Sequence, residues 1–216
     1  MACAGQRKSA GCLFIGDFAS DKLRSDASDW SRDIPGLGIQ VFQCQDVRRM
    51  WDMLQIGFQE VRSRWEMCGV IAEGTGCAAA LALACQLPVD GIVLIDPTLP
   101  VWDPFGREQA AVRPEMVRAR KMARRFAAFA RRNLALCVGD MLIVSHGCMD
   151  SSRALRRAFG NPANCRVSRL YVGDESAKEL YTIREFDVKA AISRFLLHQE
   201  ASKPLAENPE MCIIYG

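Results

Sequence analysis

The chain has 216 residues, half of them hydrophobic and a quarter charged, a composition that supports one globular domain with a sizeable core. No apolar run reaches the ~18–20 residues needed to span a bilayer, and the ten cysteines form no Cys-x-x-Cys pair, so no zinc framework is expected. The net charge of +3 is unevenly spread: between Gly106 and Arg132 nine basic residues stand against two acids, and the rest of the chain is net acidic.

At the N-terminus Arg7 and Lys8 are followed only by the short apolar piece Cys12 to Ile15, which does not match an export signal. Reduced thiols and a cytoplasmic location are expected. Short apolar runs then alternate with helical patterns, as in a parallel α/β sheet. Gly11 to Gly16 reads as a first strand and Gly38 to Gln43 as a second. Gln45 to Glu66 reads as a helix, with Val47, Met50, Met53, Leu54, Phe58 and Val61 at spacings close to three and four. Cys68 to Ala72 is the third strand, Gly74 to Gln86 the next helix, and Gly91 to Ile95 the fourth strand, closed by Asp96-Pro97. Glu115 to Leu136 is a long helical region that carries the basic run. Asp140 to Ser145 reads as strand, Ser151 to Phe159 as helix, Arg166 to Val172 as strand, and Ile183 to Gln199 as the closing helix. Ala201 to Gly216 reads as a tail.

Two segments carry most of the functional information. Gly69 to Ala84 joins a buried strand to an Ala-rich helix through Glu73-Gly74-Thr75-Gly76, a frame of the form small-x-nucleophile-x-small. Leu142 to Asp150 ends a strand in His146-Gly147-Cys148-Met149-Asp150. Together with Val89 to Pro97 between them, these segments resemble the α/β-hydrolase family in order and spacing, from Gly11 to Gln199 and without the family's first antiparallel strands. The resemblance implies an α/β three-layer sandwich with a mostly parallel central sheet and a short helical lid. It implies one domain over residues 1–216, with the lid-like insertion at about 98–136. In such a protein Gly74 stands at the nucleophile position, Asp150 at the acid position, and the segment after the sixth strand, around Glu175, at the position of the base. Gly16-Asp17 stands where the family's oxyanion loop begins.

A triad needs a nucleophile, a base within reach of it, and a group that orients the base. Gly74 has no side-chain oxygen, and the segment Tyr171 to Ser176 contains no His. The two histidines are elsewhere: His146 in the His-Gly turn, read as structural, and His198 near the end of the last helix, read as surface. No catalytic residue is therefore assigned, and the expected protein is a hydrolase-like scaffold without triad catalysis. Its residual pocket is expected at Gly16, Asp17, Glu73, Gly74, Thr75, Asp96, Asp150 and Asp174, near the strand ends where ligands of open α/β sheets bind.

Two active alternatives stay open. Thr75 or Cys77 could serve as a displaced nucleophile. Gly74-Thr75-Gly76-Cys77-Ala78-Ala79 also fits G-x-G-x-x-A, with Asp96 following 22 residues after Gly74, so the loop could cradle a dinucleotide. No cofactor and no metal are expected on the favoured reading. The expected partner is an unidentified small molecule or protein. Met116, Arg120, Arg124, Ala127 and Arg131 read as one helical stripe, with Val117, Phe126, Phe129 and Leu134 facing inward. The stripe is read as a solvated face rather than a site for nucleic acid or anionic membrane.

Overall fold

The computed structural model describes residues 10–16, 34, 36–42, 47–97, 114–137, 139–146, 165–172, 185–197 and 211–213. Seven strands form one sheet: β1 (Ala10–Ile15), β2 (Leu37–Val41), β3 (Met67–Glu73), β4 (Gly91–Ile95), β5 (Gly139–His146), β6 (Cys165–Val172) and β7 (Met211–Ile213). Four α-helices accompany them: α1 (Met50–Arg64), α2 (Gly76–Ala84), α3 (Pro114–Asn133) and α4 (Glu185–Leu196). The strand order is β2-β1-β3-β4-β5-β6-β7, parallel from β2 to β6, with β7 antiparallel on β6.

Burial on both faces explains why the strands read as unbroken apolar runs. On one face Leu13, Ile15, Val70, Ala72, Ile92, Leu94, Met141 and Ile143 pack under α1, α2 and α3. On the other, Cys12, Phe14, Ile71, Val93, Ile95, Leu142 and Val144 pack under α4. The alternation follows the two-residue period of the strands, so a one-residue slip would exchange the two cores.

Each helix turns a stripe of apolar residues to its layer. In α1 the buried residues are Met50, Leu54, Phe58 and Val61, spaced by three and four. All nine residues of α2 are buried. Five alanines keep it thin enough to lie between the sheet and α3. In α3 the buried stripe is Ala123, Phe126, Ala127 and Ala130, continued by Leu134 in the short 3-10 turn Leu134–Leu136. Phe126 and Phe129 meet Trp51 of α1 at ring-centroid distances of 5.6 and 5.9 Å, in tilted geometry.

Three local readings change. Ala127 belongs to the buried stripe of α3, three residues from Arg124 and four from Arg131, which are both exposed. Its size made it neutral in the sequence pattern, and the helical phase of Ala123, Phe126 and Ala130 decides its face. Met211–Ile213, inside the expected tail, forms β7 by pairing Leu170↔Ile213 and Val172↔Met211. The second helical segment opens with a 3-10 turn at Val47–Arg49 before α1 begins. The helix expected at Ser151 to Phe159 lies outside the described residues. So do residues 98–113, the first part of the expected lid. The later part of that stretch, α3, is the β4–β5 crossover and packs on α2.

Candidate functional site

The chain passes from β1 outward to β2, then returns to β3 on the other side of β1. The order of strands therefore reverses between β1 and β3, and in open α/β sheets the crevice at the carboxyl ends of such a strand pair is where ligands bind. The β3–α2 turn lies there.

At its apex Gly74 has φ +54°, in the left-handed region that favours glycine. Both of its main-chain groups are engaged: its N–H donates to Ile95 O at 3.0 Å, and its carbonyl accepts from Cys77 N at 3.3 Å. The first bond ties the turn to the end of β4, and the second starts α2. A Cβ on Gly76 would collide with the Gly16 carbonyl and would lie 2.7 Å from Ile15 O. The amino end of α2 is thus pressed onto the end of β1, an approach that only a glycine allows. Ala72, fully buried, completes the small-x-x-x-small frame on the strand side. The geometry is that of a nucleophile elbow. The residue at its tip has no side chain.

Register places the pocket residues that can be described side by side. Ile15 pairs with Ala72, Glu73 with Ile95, and Ile95 with Val144. Gly16, Glu73, Gly74, Thr75 and Asp96 consequently share the carboxyl rim of β1, β3 and β4. Asp96 has φ +42°, a strained conformation that Asp tolerates better than most residues. Its N–H donates to Val144 O at 2.9 Å, which anchors the β4 end to β5. Glu73 and Asp96 are half-buried, whereas Thr75 is buried at 6% exposure. Asp17, Asp150, Asp174, Glu175 and His198 lie outside the described residues. His146 ends β5, two strands from β3.

Cys77 sits below the elbow and not at its surface. It is fully buried, and its thiol donates to Ala72 O at 3.4 Å and Ile95 O at 3.7 Å, the carbonyls at the ends of β3 and β4. A substrate at the rim has no line to that sulfur. Ser145, buried at 6% exposure near the end of β5, is a rim residue that the sequence reading passed over. Its position directly before His146 was the available signal. Among the described residues no cluster of His, Cys, Asp and Glu could hold a metal ion. No described helix is long and apolar enough to cross a membrane.

No protein-family model matches the chain, and no curated protein matches it in sequence. Solved structures do match it in shape. One of the metagenome-derived lipolytic enzymes LipS and LipT aligns with TM-score 0.62 over 87% of this chain and 94% of its own, at 14% identity. Est1E from Butyrivibrio proteoclasticus aligns with TM-score 0.62 over 90% of both chains, at 10% identity. The esterase domain of a Rhodothermus marinus protein aligns with TM-score 0.55 over 89% of this chain and 90% of its own, at 16% identity. Sheet order, elbow and these matches define a protein built on the scaffold of esterases and lipases. The chain has the α/β-hydrolase fold.

Proposed function

We propose that this protein is a non-catalytic member of its fold class, which uses the rim around the elbow to bind a small polar molecule. The observation that carries the reading is Gly74 at the tip of the elbow, at φ +54°. A serine there would bring both the hydroxyl and the strain of a left-handed residue, and glycine brings neither. The two nearest substitutes are poorly placed: Cys77 is sealed below the turn, and Thr75 is buried one residue past the apex. Glu73 and Asp96 give the rim acidic character, which favours a ligand that donates hydrogen bonds or carries positive charge.

The test is hydrolysis of p-nitrophenyl acetate and butyrate by the purified protein, alongside Gly74→Ser and Thr75→Ala. The expected result is no turnover above background in the wild type and little in Gly74→Ser. A hydroxyl without a base stays protonated, and general-base assistance alone is commonly worth ~10²–10⁴-fold. Robust wild-type turnover that disappears in Thr75→Ala would overturn the reading and make Thr75 the nucleophile.

A further inference from the structure

At the opposite end of α2 from the elbow, three cysteines distant in sequence come together. Cys85 caps the carboxyl end of α2, Cys137 follows the 3-10 turn after α3, and Cys165 is the first residue of β6. The Cys165 thiol donates to Cys137 Sγ at 3.4 Å and to Cys137 O at 3.2 Å. Cys137 in turn interacts with Cys85, whose thiol donates to Ala130 O at 3.9 Å. The three sulfurs form a chain that runs from the partly exposed Cys165 inward to two buried thiols.

Two sulfurs 3.4 Å apart are already in van der Waals contact, and a disulfide requires a separation of about 2.05 Å. Each sulfur would move by roughly 0.7 Å, within reach of small side-chain rotations. Burial and hydrogen bonding set the acidity of the cluster in a graded way. The Cys85 thiol is lowered, chiefly because Cys137 donates to its thiolate. Cys137 is pulled down by the Cys165 hydrogen bond, but its own hydrogen bond to Cys85 and its burial outweigh this and push it up to about 12. Cys165 is pushed up, first by its hydrogen bond to Cys137 and then by burial. Deprotonation is therefore easiest at Cys85, the buried end, and hardest at Cys165, the accessible end.

We propose that Cys137 and Cys165 form a reversible disulfide when the protein meets a hydroperoxide. In the first step the Cys165 sulfur attacks the terminal oxygen of the hydroperoxide while its proton moves along the hydrogen bond to Cys137 Sγ and the Cys137 proton moves to the Cys85 thiolate. The O–O bond breaks, a sulfenic acid forms on Cys165, and the departing alkoxide or hydroxide takes a proton. In the second step the Cys137 sulfur, giving up its proton, attacks the Cys165 sulfur. The S–S bond forms as the S–O bond breaks, and water leaves. The two sulfurs together lose two electrons and the peroxide gains them. Cys165 is the entry point because it is the one thiol of the three that is not fully enclosed.

The experiment uses the full, reduced chain treated with hydrogen peroxide, then unfolded in N-ethylmaleimide and mapped by mass spectrometry without reduction. The expected result is the loss of two maleimide-reactive thiols, a linked peptide pair containing Cys137 and Cys165, and recovery of both thiols with dithiothreitol. Cys165→Ser should remove the linked pair. The proposal is overturned if Cys137 and Cys165 both remain maleimide-reactive at peroxide concentrations that oxidise other cysteines of the chain. It is equally overturned if Cys165 is recovered only as sulfinic acid, or if Cys137 is found linked to Cys85 instead.

Discussion

At its amino end α2 starts beneath Gly74 and is pressed on the carbonyls of Ile15 and Gly16; at its carboxyl end it stops at Cys85, against Cys137 and Cys165. The ends are separated by about 13 Å of helix, taking nine residues at 1.5 Å each. The amino end has the backbone geometry of a catalytic centre with no reactive side chain at its tip. The carboxyl end gathers three thiols, Cys85, Cys137 and Cys165. Main-chain packing holds the elbow together, and that packing does not depend on whether the tip carries a hydroxyl.

The sharpest way to break this contrast is to add one carbon at Gly76. Gly76→Ala forces a methyl against main-chain carbonyls that cannot rotate away. The expected cost is about 2–3 kcal/mol, the range for overpacking a close contact. Urea denaturation of the variant reads it directly. An unchanged midpoint would mean that α2 is not held against β1 as described.

Gly74→Ala should cost less, about 1–2 kcal/mol, from the left-handed conformation it imposes on alanine. The comparison with Gly76→Ala separates strain at the tip from packing below it. If Gly74→Ala proves neutral or stabilising in the same urea assay, the turn does not hold φ +54° in solution.

At the other end the sensitivity is to pH. The Cys137 thiol lies well above its ordinary value of 9.0, at about 12. The raised folded-state value means that its contribution to stability is complete below pH 9 and is lost as the pH rises towards 12. Cys85, lowered in the fold, works in the opposite sense and offsets part of this loss. The urea midpoint of the reduced protein should therefore fall between pH 9 and pH 11, with a shallower fall in Cys137→Ala. Equal slopes in the two proteins would show that the thiol chain does not control the alkaline limb.

The strands and the elbow were legible in the sequence for a physical reason. Strands buried on both faces must be continuous apolar runs, and a tight strand-to-helix turn at positive φ favours glycine, so Cys68 to Gly76 stands out. The thiol cluster was not legible. Its members are 52 and 28 residues apart, and they meet only because α2, α3 and β6 pack at one corner of the molecule. Pairwise spacing shows contacts within one helix or hairpin, not contacts made by three separate elements. β7 escaped notice because three residues, Met211 to Ile213, are too few to show a period. Ala127 was misplaced because a small residue between arginines says little about which way it points.

The exposed face of α3 offers the smallest expected effect and a control for both ends of α2. Lys121, Arg125, Arg131 and Arg132 are exposed, while the buried stripe of the same helix holds it to α2 and Trp51. Charges in water contribute little to stability, commonly less than about 0.5 kcal/mol for a surface substitution. Replacing Arg125 and Arg132 together by Gln should leave the urea midpoint within that margin, against the much larger losses at Gly76 and Gly74. A polyanion-binding face would show itself differently. Affinity for nucleic acid or anionic vesicles would be tight at low salt and fall steeply as salt rises, because counterions are released from the partner on binding. The expected outcome is no submicromolar binding at physiological ionic strength, as befits a solvated face. Tight, salt-sensitive binding lost in the double variant would instead make α3 a docking surface, and the rim around Gly74 would no longer be the first place to look for a ligand.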